Sequence, residues 1–293
     1  MASAFTSLVN SALLAPKRWT SAVRILFYTL LAGVISLFVL IPIYLMVVTG
    51  LKDRRDIVAN PLGLPKVYVW DNFPAAWEGG NFGSYFLNSI LVTFPVVLGV
   101  LTFSVMAAYA FALLNFPGKE PLFTIFLGGL TIPLGVLSIP LFYLMNSLKL
   151  LDTHWALILP QIGISMPFGI LLLRSFIQDL PHEILDAGRI DGCTSWGLLW
   201  HIVLPLSRPA IFSLLIFNFT WSWNEFLLAV VLLQTEAART LPLGLNFFRG
   251  RYSTNYPLLM AGATITFIPV MIIYILFQRH FIKGIAAGSL SGT

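Results

Sequence analysis

Long apolar runs separated by polar segments set the pattern of this 293-residue chain. A run of about 20 apolar residues is long enough to cross the hydrocarbon core of a bilayer as a helix. The pattern therefore predicts an all-α membrane protein with six transmembrane helices. The predicted spans are residues 25–48, 85–114, 121–145, 155–173, 210–233 and 257–277.

Prolines interrupt two of the predicted spans. Pro133 and Pro140 fall in the third span, and Pro160 and Pro167 fall in the fourth. Proline kinks or breaks a helix, and broken backbone is tolerated in a membrane only where protein or a cavity covers it. The third and fourth spans are therefore candidates for an inner lining, although packing kinks without a role in transport would explain the same prolines.

A charged segment, residues 175–208, separates the fourth span from the fifth. It cannot lie in lipid, because ionised side chains are costly there, so it must lie in water or against another protein. Pro181 can start a helix and Gly192 can end it. Thr194 or Ser195 can cap a second helix. The segment contains four acidic residues, Asp179, Glu183, Asp186 and Asp191.

Each of these two helices has one distinctive face. Leu185, Gly188 and Gly192 share a face of the first helix, and the two glycines leave bare backbone that another surface can approach closely. An amphipathic loop helix that packs on its own membrane domain would show the same pattern, so both interpretations stay open. The second helix has an apolar stripe at i, i+3, i+4 and i+7, formed by Trp196, Leu199, Trp200 and Val203.

The order of residues in this segment resembles the signature loop of ABC importer permeases. The chain reads Asp186-Ala187-Gly188, three residues, Gly192, nine residues and Ile202-Val203-Leu204-Pro205. The family pattern is Glu-Ala-Ala, three residues, Gly, nine residues and Ile-x-Leu-Pro, so Asp186 replaces Glu and Gly188 replaces the second Ala. Both replacements keep the charge or the small size.

This resemblance implies the type I ABC importer permease fold, in which the loop is a cytoplasmic coupling helix. In that family the coupling helix docks in a cleft of the ATPase subunit and transmits its motion to alternating access in the spans. The residues that the resemblance assigns to this ATPase contact are Glu183, Asp186, Ala187, Gly188, Asp191, Gly192, Ile202, Leu204 and Pro205.

Further stretches between about residues 41 and 292 resemble the carbohydrate branch of the family, and the chain looks like the smaller permease of maltose-type systems. The C-terminal ending is similar too, with Ser291 where the family commonly has Lys. The remaining similar stretches are Ile41–Lys52, Tyr85–Ser89, Trp223–Phe226 and Leu241–Leu245.

The family resemblance implies the function and the partners. It implies the permease subunit of an ATP-driven importer, which takes up a sugar or sugar-like solute from an extracytoplasmic binding protein. The expected partners are two P-loop ATPase subunits that hold ATP-Mg, a second and different permease chain, and membrane lipid. The expected domains are a cytoplasmic N-terminal segment (1–24), a permease domain (25–281) and a cytoplasmic tail (282–293).

Composition agrees with a membrane protein. Only 10% of the residues are charged and the mean hydropathy is +0.87, whereas soluble domains carry roughly 25% charged residues. The net charge of +5 is not gathered into a basic stripe, which argues against nucleic acid as a partner. The single cysteine, Cys193, excludes an internal disulfide.

Charge gives little help with orientation, because the basic residues divide almost equally between the two sides. The cluster Lys17, Arg18 and Arg24 before the first span favours cytoplasmic termini. A coupling loop that meets an ATPase requires the same orientation. The expected location is the prokaryotic inner membrane, with both termini in the cytoplasm.

The chain lacks the GxxxxGK[ST], HExxH and GxSxG motifs, and we predict a non-catalytic subunit without a cofactor of its own. Glu225 is the one acidic residue placed deep in a predicted span, where a carboxylate must be hydrated, neutralised or paired. With Asn224 it is a candidate for the translocation path, while a structural hydrogen bond between helices is the alternative role. Other classes left open are an ion-coupled secondary transporter that uses Glu225, an importer of a non-sugar solute, and an intramembrane enzyme.

Overall fold

The computed structural model describes the backbone of residues 2–250 and 253–290, and the side chains of residues 23–250 and 253–278. The regular elements of this part of the chain are helices. They are α1 (Ala2–Gly50), α2 (Arg54–Ala59), α3 (Asn72–Gly79), α4 (Phe82–Leu113), α5 (Lys119–Gly129), α6 (Leu134–Ser147), α7 (Trp155–Gln178), α8 (His182–Ile190), α9 (Ser195–Leu198), α10 (Leu204–Leu206), α11 (Arg208–Trp223), α12 (Leu227–Leu232), α13 (Leu241–Gly244) and α14 (Tyr256–Leu290), with a π-helical turn at Leu199–Val203 and short 3₁₀ turns at Glu236–Ala238 and Leu245–Phe248.

Four described helices are long and apolar enough to cross a membrane, namely Val23–Gly50, Phe82–Leu113, Trp155–Gln178 and Tyr256–Gln278. Two bent pairs bring the number to six, as predicted, if each pair is one span. One pair is α5 with α6, which meet at 99°. In the other, residues Ser195–Leu206 meet α11 at 75°.

The third span is more sharply interrupted than a kinked helix. The chain leaves the helical path after Gly129 and resumes it at Leu134, with Pro133 directly before the new helix. Pro140 lies inside α6 without ending it. The prediction of an interruption is therefore confirmed at Pro133, and the bend is close to a right angle.

The prediction that Pro160 and Pro167 break the fourth span is wrong. Both prolines lie inside one continuous helix, α7, and both are buried. Of all the helix pairs, α7 and α4 share the most extensive contact. Neighbouring helices can cover the backbone groups that a proline leaves without a partner, which allows α7 to continue through them.

Three further spans differ from the prediction, one by an internal break and two by their ends. The fifth span is interrupted at residues 224–226, between α11 and α12, so residues 210–233 do not form one helix. The helix α1 already begins at Ala2, ahead of the predicted boundary at residue 25, and α14 continues through the expected tail to Leu290. The side chains of Lys17, Arg18 and the C-terminal motif lie outside the described residues.

On the face where α4 begins, side chains join distant loops. Asn88 donates from Nδ2 to the carbonyls of Ala237 and Arg239 at 2.7 and 2.9 Å. Ser89 accepts the N–H of Leu241 at 2.8 Å. These bonds bring together two of the stretches, 85–89 and 241–245, that resemble the carbohydrate branch.

A carboxylate on the same face ties two further loops together. Asp152 accepts backbone N–H groups from Gln234 and Thr235 at 2.9 and 2.8 Å, and its own N–H donates to Leu232. The bond from the Thr235 backbone lowers the pKa of the Asp152 carboxyl below its ordinary value. The loop between the third and fourth spans is therefore fixed to the end of the fifth.

At the opposite end of the spans, Arg174 of α7 connects three helices. Its guanidinium pairs with Glu120 of α5 at 2.7 Å and lies 3.8 Å from the ring centroid of Phe123. Its Nε also donates to the carbonyl of Phe111 in α4 at 3.3 Å. The ends of α4, α5 and α7 that lie near the 175–208 loop are thus held together.

Candidate functional site: the 175–208 loop and a cavity between the spans

The first helix of the loop, α8, begins and ends with recognisable local signals. Pro181 occupies the N-cap with an extended backbone, and Glu183 lies in the first turn, where its charge suits the helix dipole. Gly192 follows the helix with φ = 83°, a left-handed conformation that glycine adopts without strain. The N–H groups of Gly192 and Cys193 donate back into the last turn at 3.1 and 3.0 Å, which is the Schellman arrangement.

The second half of the loop, Ser195–Leu206, is helical but irregular. The Thr194 hydroxyl accepts the N–H of Gly197 at 3.2 Å, which confirms the predicted cap. A π-helical turn at Leu199–Val203 then adds a residue to the helical repeat and shifts its faces. As a result the predicted apolar stripe is divided: Leu199 and Val203 are buried, whereas Trp196 and Trp200 are more than half exposed.

The face of α8 that contains Leu185 and Gly188 is buried within this chain. A Cβ atom built on Gly188 would overlap Cδ1 of Ile202 and lie 3.1 Å from Cδ1 of Leu198. The close approach that the glycine permits is therefore made by the second half of the same loop. The predicted docking face needs correction in this respect, because it is not open to another protein.

The opposite face of α8 is exposed. Ile190 is 86% exposed, and Ile184 and Ala187 also face outward. Asp186 is paired with Arg189 at 2.8 Å, and Glu183 and Asp191 flank the same surface. An apolar surface with a charged border is thus free of contacts from the described part of the chain.

The remaining predicted coupling residues belong to the interior of the loop. Ile202, Leu204 and Pro205 are half-buried. Ile202 and Leu204 pack against a cluster of apolar residues that spans the loop and the membrane helices. These residues therefore connect the loop to the spans, and the exposed part of the site is on α8.

The loop packs rigidly on the membrane helices. Tyr109 of α4 donates from its hydroxyl to the carbonyl of Ser195 at 2.8 Å. Around this bond lies a continuous apolar cluster of residues from α4, α7, the loop and α11, so α8 packs into the same interior as these helices. The buried members of the cluster are Val105, Ala108, Tyr109, Leu173, Ile177, Leu180, Leu185, Leu198, Leu199, Val203, Ala210 and Leu214.

A cavity of about 470 Å³ lies between the middles of three spans. The break between α5 and α6 forms one wall, and α7 and α11 form the others. Pockets for small molecules are mostly apolar and aromatic with few polar groups, and this cavity has that character. The lining residues are Gly129, Leu130, Ile132, Leu134, Ile164, Ser165, Phe168, Phe217, Asn218 and Trp221.

Sequence reasoning pointed to this cavity only in part. The proline interruption of the third span predicted one wall of the cavity. The fourth span was predicted to be a wall because its prolines should break it, but α7 is unbroken and lines the cavity as a continuous helix. The aromatic residues Phe168 and Trp221 were missed, because a membrane span contains many similar side chains. Asn218 was also missed, although it is a polar residue inside an apolar run.

The structure places the predicted path residues Asn224 and Glu225 at the break between α11 and α12, outside the lining of this cavity. Glu225 is 7% exposed, and its Oε1 accepts the N–H of Leu228 at 2.8 Å, which caps α12. Asn224 is exposed and donates to the carbonyl of Thr220 at 2.8 Å. A structural role for Glu225 is thus visible in its contacts.

Comparison with known proteins identifies related chains over most of the sequence. A family model described as binding-protein-dependent transport system inner membrane component matches residues 100–287. The probable ABC transporter permease protein YurM of Bacillus subtilis is 38% identical over 251 residues, which cover 86% of this chain and 83% of that protein.

Two further relatives have names that include a solute. The arabinooligosaccharides transport system permease protein AraQ of Halalkalibacterium halodurans is 35% identical, over 94% of this chain and 100% of its own length. The diacetylchitobiose uptake system permease protein NgcG of Streptomyces coelicolor is 32% identical, over 87% of this chain and 85% of its own length.

A solved structure shares the fold. A chain of a bacterial ABC transporter involved in the import of the acidic polysaccharide alginate superposes with a TM-score of 0.75. The match covers 87% of this chain and 95% of the other, at 24% sequence identity.

Substitutions at Gly188 test the internal packing of the loop. Gly188→Trp should displace Leu198 and Ile202 and lower the thermal stability of the purified chain by several degrees, as overpacking costs about 1–3 kcal/mol. Gly188→Ala should have a small effect, because the terminal methyl of Ile202 can move away. Ala187→Trp, on the exposed face, is the matched control; an equal loss of stability there would contradict the assignment of faces.

Proposed function

We propose that this chain, which belongs to the binding-protein-dependent transport system inner membrane component family, is the permease subunit of an ATP-driven carbohydrate importer. Membership in this family makes it a non-catalytic membrane subunit, with ATP hydrolysis in a separate chain. It also decides against an ion-coupled secondary transporter and an intramembrane enzyme. The observation that carries the carbohydrate assignment is near-full-length similarity to a permease named for arabinooligosaccharides.

The cavity supports a solute of this kind. Its volume of about 470 Å³ lies in the range of roughly 300–1,000 Å³ that is usual for small-molecule sites. The flat faces of Phe168 and Trp221 offer apolar contact, and Ser165 and Asn218 add polar groups. We assign the translocation path to this cavity, with Asn224 one helical turn from Trp221. Glu225 lies outside the lining and stabilises the break in the fifth span, because its carboxylate accepts a backbone N–H of α12.

The contact with the ATPase is assigned to the exposed face of α8. Glu183, Asp186, Ala187 and Asp191 lie on that face, and Ile184 and Ile190 add the apolar area that a docking helix needs. Gly188, Gly192, Ile202, Leu204 and Pro205 keep the loop in one shape. A rigid loop transmits motion because it shares a packed cluster with α4, α7 and α11.

The mechanism is a rigid-body switch between two states. When ATP closes the two ATPase subunits, the clefts that hold the coupling helices move. The loop then carries α4, α7 and α11 with it, and the cavity changes from cytoplasm-open to outward-open. Energy is transmitted only if the binding free energy between the ATPase and α8 differs between the two states.

This function determines the orientation and the partners. Both termini and α8 lie in the cytoplasm, and α3, Asp152 and α13 lie on the outer side, where the binding protein delivers the solute. A second permease chain completes the pore, because this chain has one signature loop, and we expect that chain to be a different one. Two P-loop ATPase subunits supply ATP-Mg hydrolysis.

The cognate binding protein provides the test of the carbohydrate assignment. Its thermal stability should rise with a mono- or oligosaccharide, since a ligand at 100 times its Kd adds about 2.7 kcal/mol. Amino acids and short peptides serve as controls and should leave the melting temperature unchanged. Stabilisation by a peptide or amino acid in place of a sugar would refute the carbohydrate assignment.

Removal of an aromatic wall tests the translocation path. Trp221→Ala should reduce binding-protein-dependent uptake of the sugar into proteoliposomes by about tenfold, corresponding to roughly 1.4 kcal/mol. ATP hydrolysis by the assembled transporter should persist. Trp155→Ala, an exposed tryptophan at the start of α7, is the control and should transport normally. Normal uptake by Trp221→Ala would exclude this cavity.

A charge on the exposed face of α8 tests the ATPase contact. Ile190→Asp should reduce co-purification of the ATPase subunit at least about tenfold, because central apolar contacts of an interface often contribute more than 1 kcal/mol. Leu148→Asp places the same change on an exposed leucine at the opposite ends of the spans. If both variants retain the ATPase equally, α8 does not dock through this face.

A further inference from the structure

The segment that follows α1 exposes an unusual amount of apolar surface. We call residues 53–70 the outer hairpin. Five of its apolar side chains are at least 60% exposed, and Val58 reaches 84%. Contiguous exposed apolar surface marks a place of interaction with a protein or a membrane. The five residues are Val58, Leu62, Leu64, Val67 and Trp70.

A hydrogen bond shows how far the hairpin folds back along α1. The hydroxyl of Tyr44 donates to the carbonyl of Leu62 at 3.1 Å. Because α1 continues to Gly50, the Cα of Tyr44 lies about 9 Å before the end of that helix, at 1.5 Å per residue. The tip of the hairpin is therefore at the level of the span and does not project away from it.

Tyr44 lies near the end of α1, which is longer than the bilayer core requires. The apolar part of α1 has 28 residues, or about 42 Å, and exceeds the roughly 30 Å of hydrocarbon. The excess can be taken up at either end or by tilt, and Tyr44 favours the C-terminal end, since tyrosine and tryptophan are typical of the headgroup region. With the end of α1 placed there, the Leu62 carbonyl bonded to Tyr44 lies at the boundary between hydrocarbon and headgroups, two residues from the exposed Leu64.

Several polar backbone groups of the hairpin have hydrogen-bond partners within the protein. Lys52 is fully buried, and its ammonium donates to the carbonyl of Asn60 at 2.6 Å. The Asn60 side chain accepts the N–H of Gly63 at 3.0 Å and donates to the carbonyl of Leu64 at 2.9 Å. Backbone at membrane depth needs such partners, because lipid supplies none.

We propose that the outer hairpin is an interfacial anchor that inserts its apolar tip into the lipid leaflet surrounding the end of α1. Its exposed side chains continue the lipid-facing surface of α1, on which Ile41 and Tyr44 are also exposed. Arg54 and Arg55 are exposed at the base of the hairpin, where they can pair with anionic headgroups. The anchor fixes the depth of the first span in the membrane.

The anchor also supports the loops beyond it. Asn72, the first residue of α3, donates from its side chain to the carbonyls of Gly50 and Lys52, both at 2.9 Å. The base of the hairpin and the short helix α3 are therefore one connected structure. A hairpin held in the leaflet gives α3 a constant position relative to the membrane.

A spin label at Leu62 tests the proposal. Leu62→Cys, in a Cys193→Ser background, is labelled with a nitroxide in the assembled transporter, in vesicles of phosphatidylethanolamine and phosphatidylglycerol. Collision with oxygen, relative to a water-soluble nickel chelate, should be several-fold more frequent than at the control Glu78→Cys, which is exposed on α3. Leu64→Cys provides a second position if the first variant does not assemble.

Two results would overturn the anchor. In one, the label at residue 62 meets the nickel chelate as often as the label at residue 78, which places the tip in water. In the other, the label is shielded only after the binding protein is added, which makes the hairpin a protein-docking surface. Neither result bears on the carbohydrate assignment or on α8, so this inference fails or stands separately from the proposed function.

Discussion

The packing of α8 against the second half of its own loop, across the bare backbone of Gly188, is the contact on which the rest of the site depends. It places Leu185 inside, next to Leu198 and Ile202, and so leaves Ile184 and Ile190 outside. The same interior is continuous with α4, α7 and α11. A side chain much larger than a methyl group at residue 188 would separate the two halves of the loop, and the exposed face would lose its fixed relation to the spans.

The cost of unpaired polar groups in a membrane explains the irregular parts of the spans. α7 keeps its helix through two prolines because α4 covers it, whereas the third span bends at Pro133 and opens a cavity. At the break at residues 224–226, the carboxylate of Glu225 accepts a backbone N–H of α12 that would otherwise lack a partner. In each case the backbone departs from a regular helix only where other groups of the protein compensate.

The same constraint organises the end of the spans opposite the 175–208 loop. Asn88, Ser89 and Asp152 each bond backbone groups of a segment distant along the chain, and Lys52 bonds the carbonyl of Asn60 eight residues further on. These loops carry little regular structure, so side chains supply the partners that helices would otherwise provide. These bonds hold the loops at this end of the spans in one arrangement.

The sequence by itself determined the membrane class, the number of spans and the position of the signature loop, because these depend on local hydropathy and on residue order. It also predicted the ends of α8 at Pro181 and Gly192 and the cap at Thr194, which are local signals. It could not show that Gly188 faces its own loop, that α7 passes unbroken through Pro160 and Pro167, or that Trp221 and Asn218 line a cavity. Those features depend on which surface each helix turns toward its neighbours, and only the packing of the whole chain decides that.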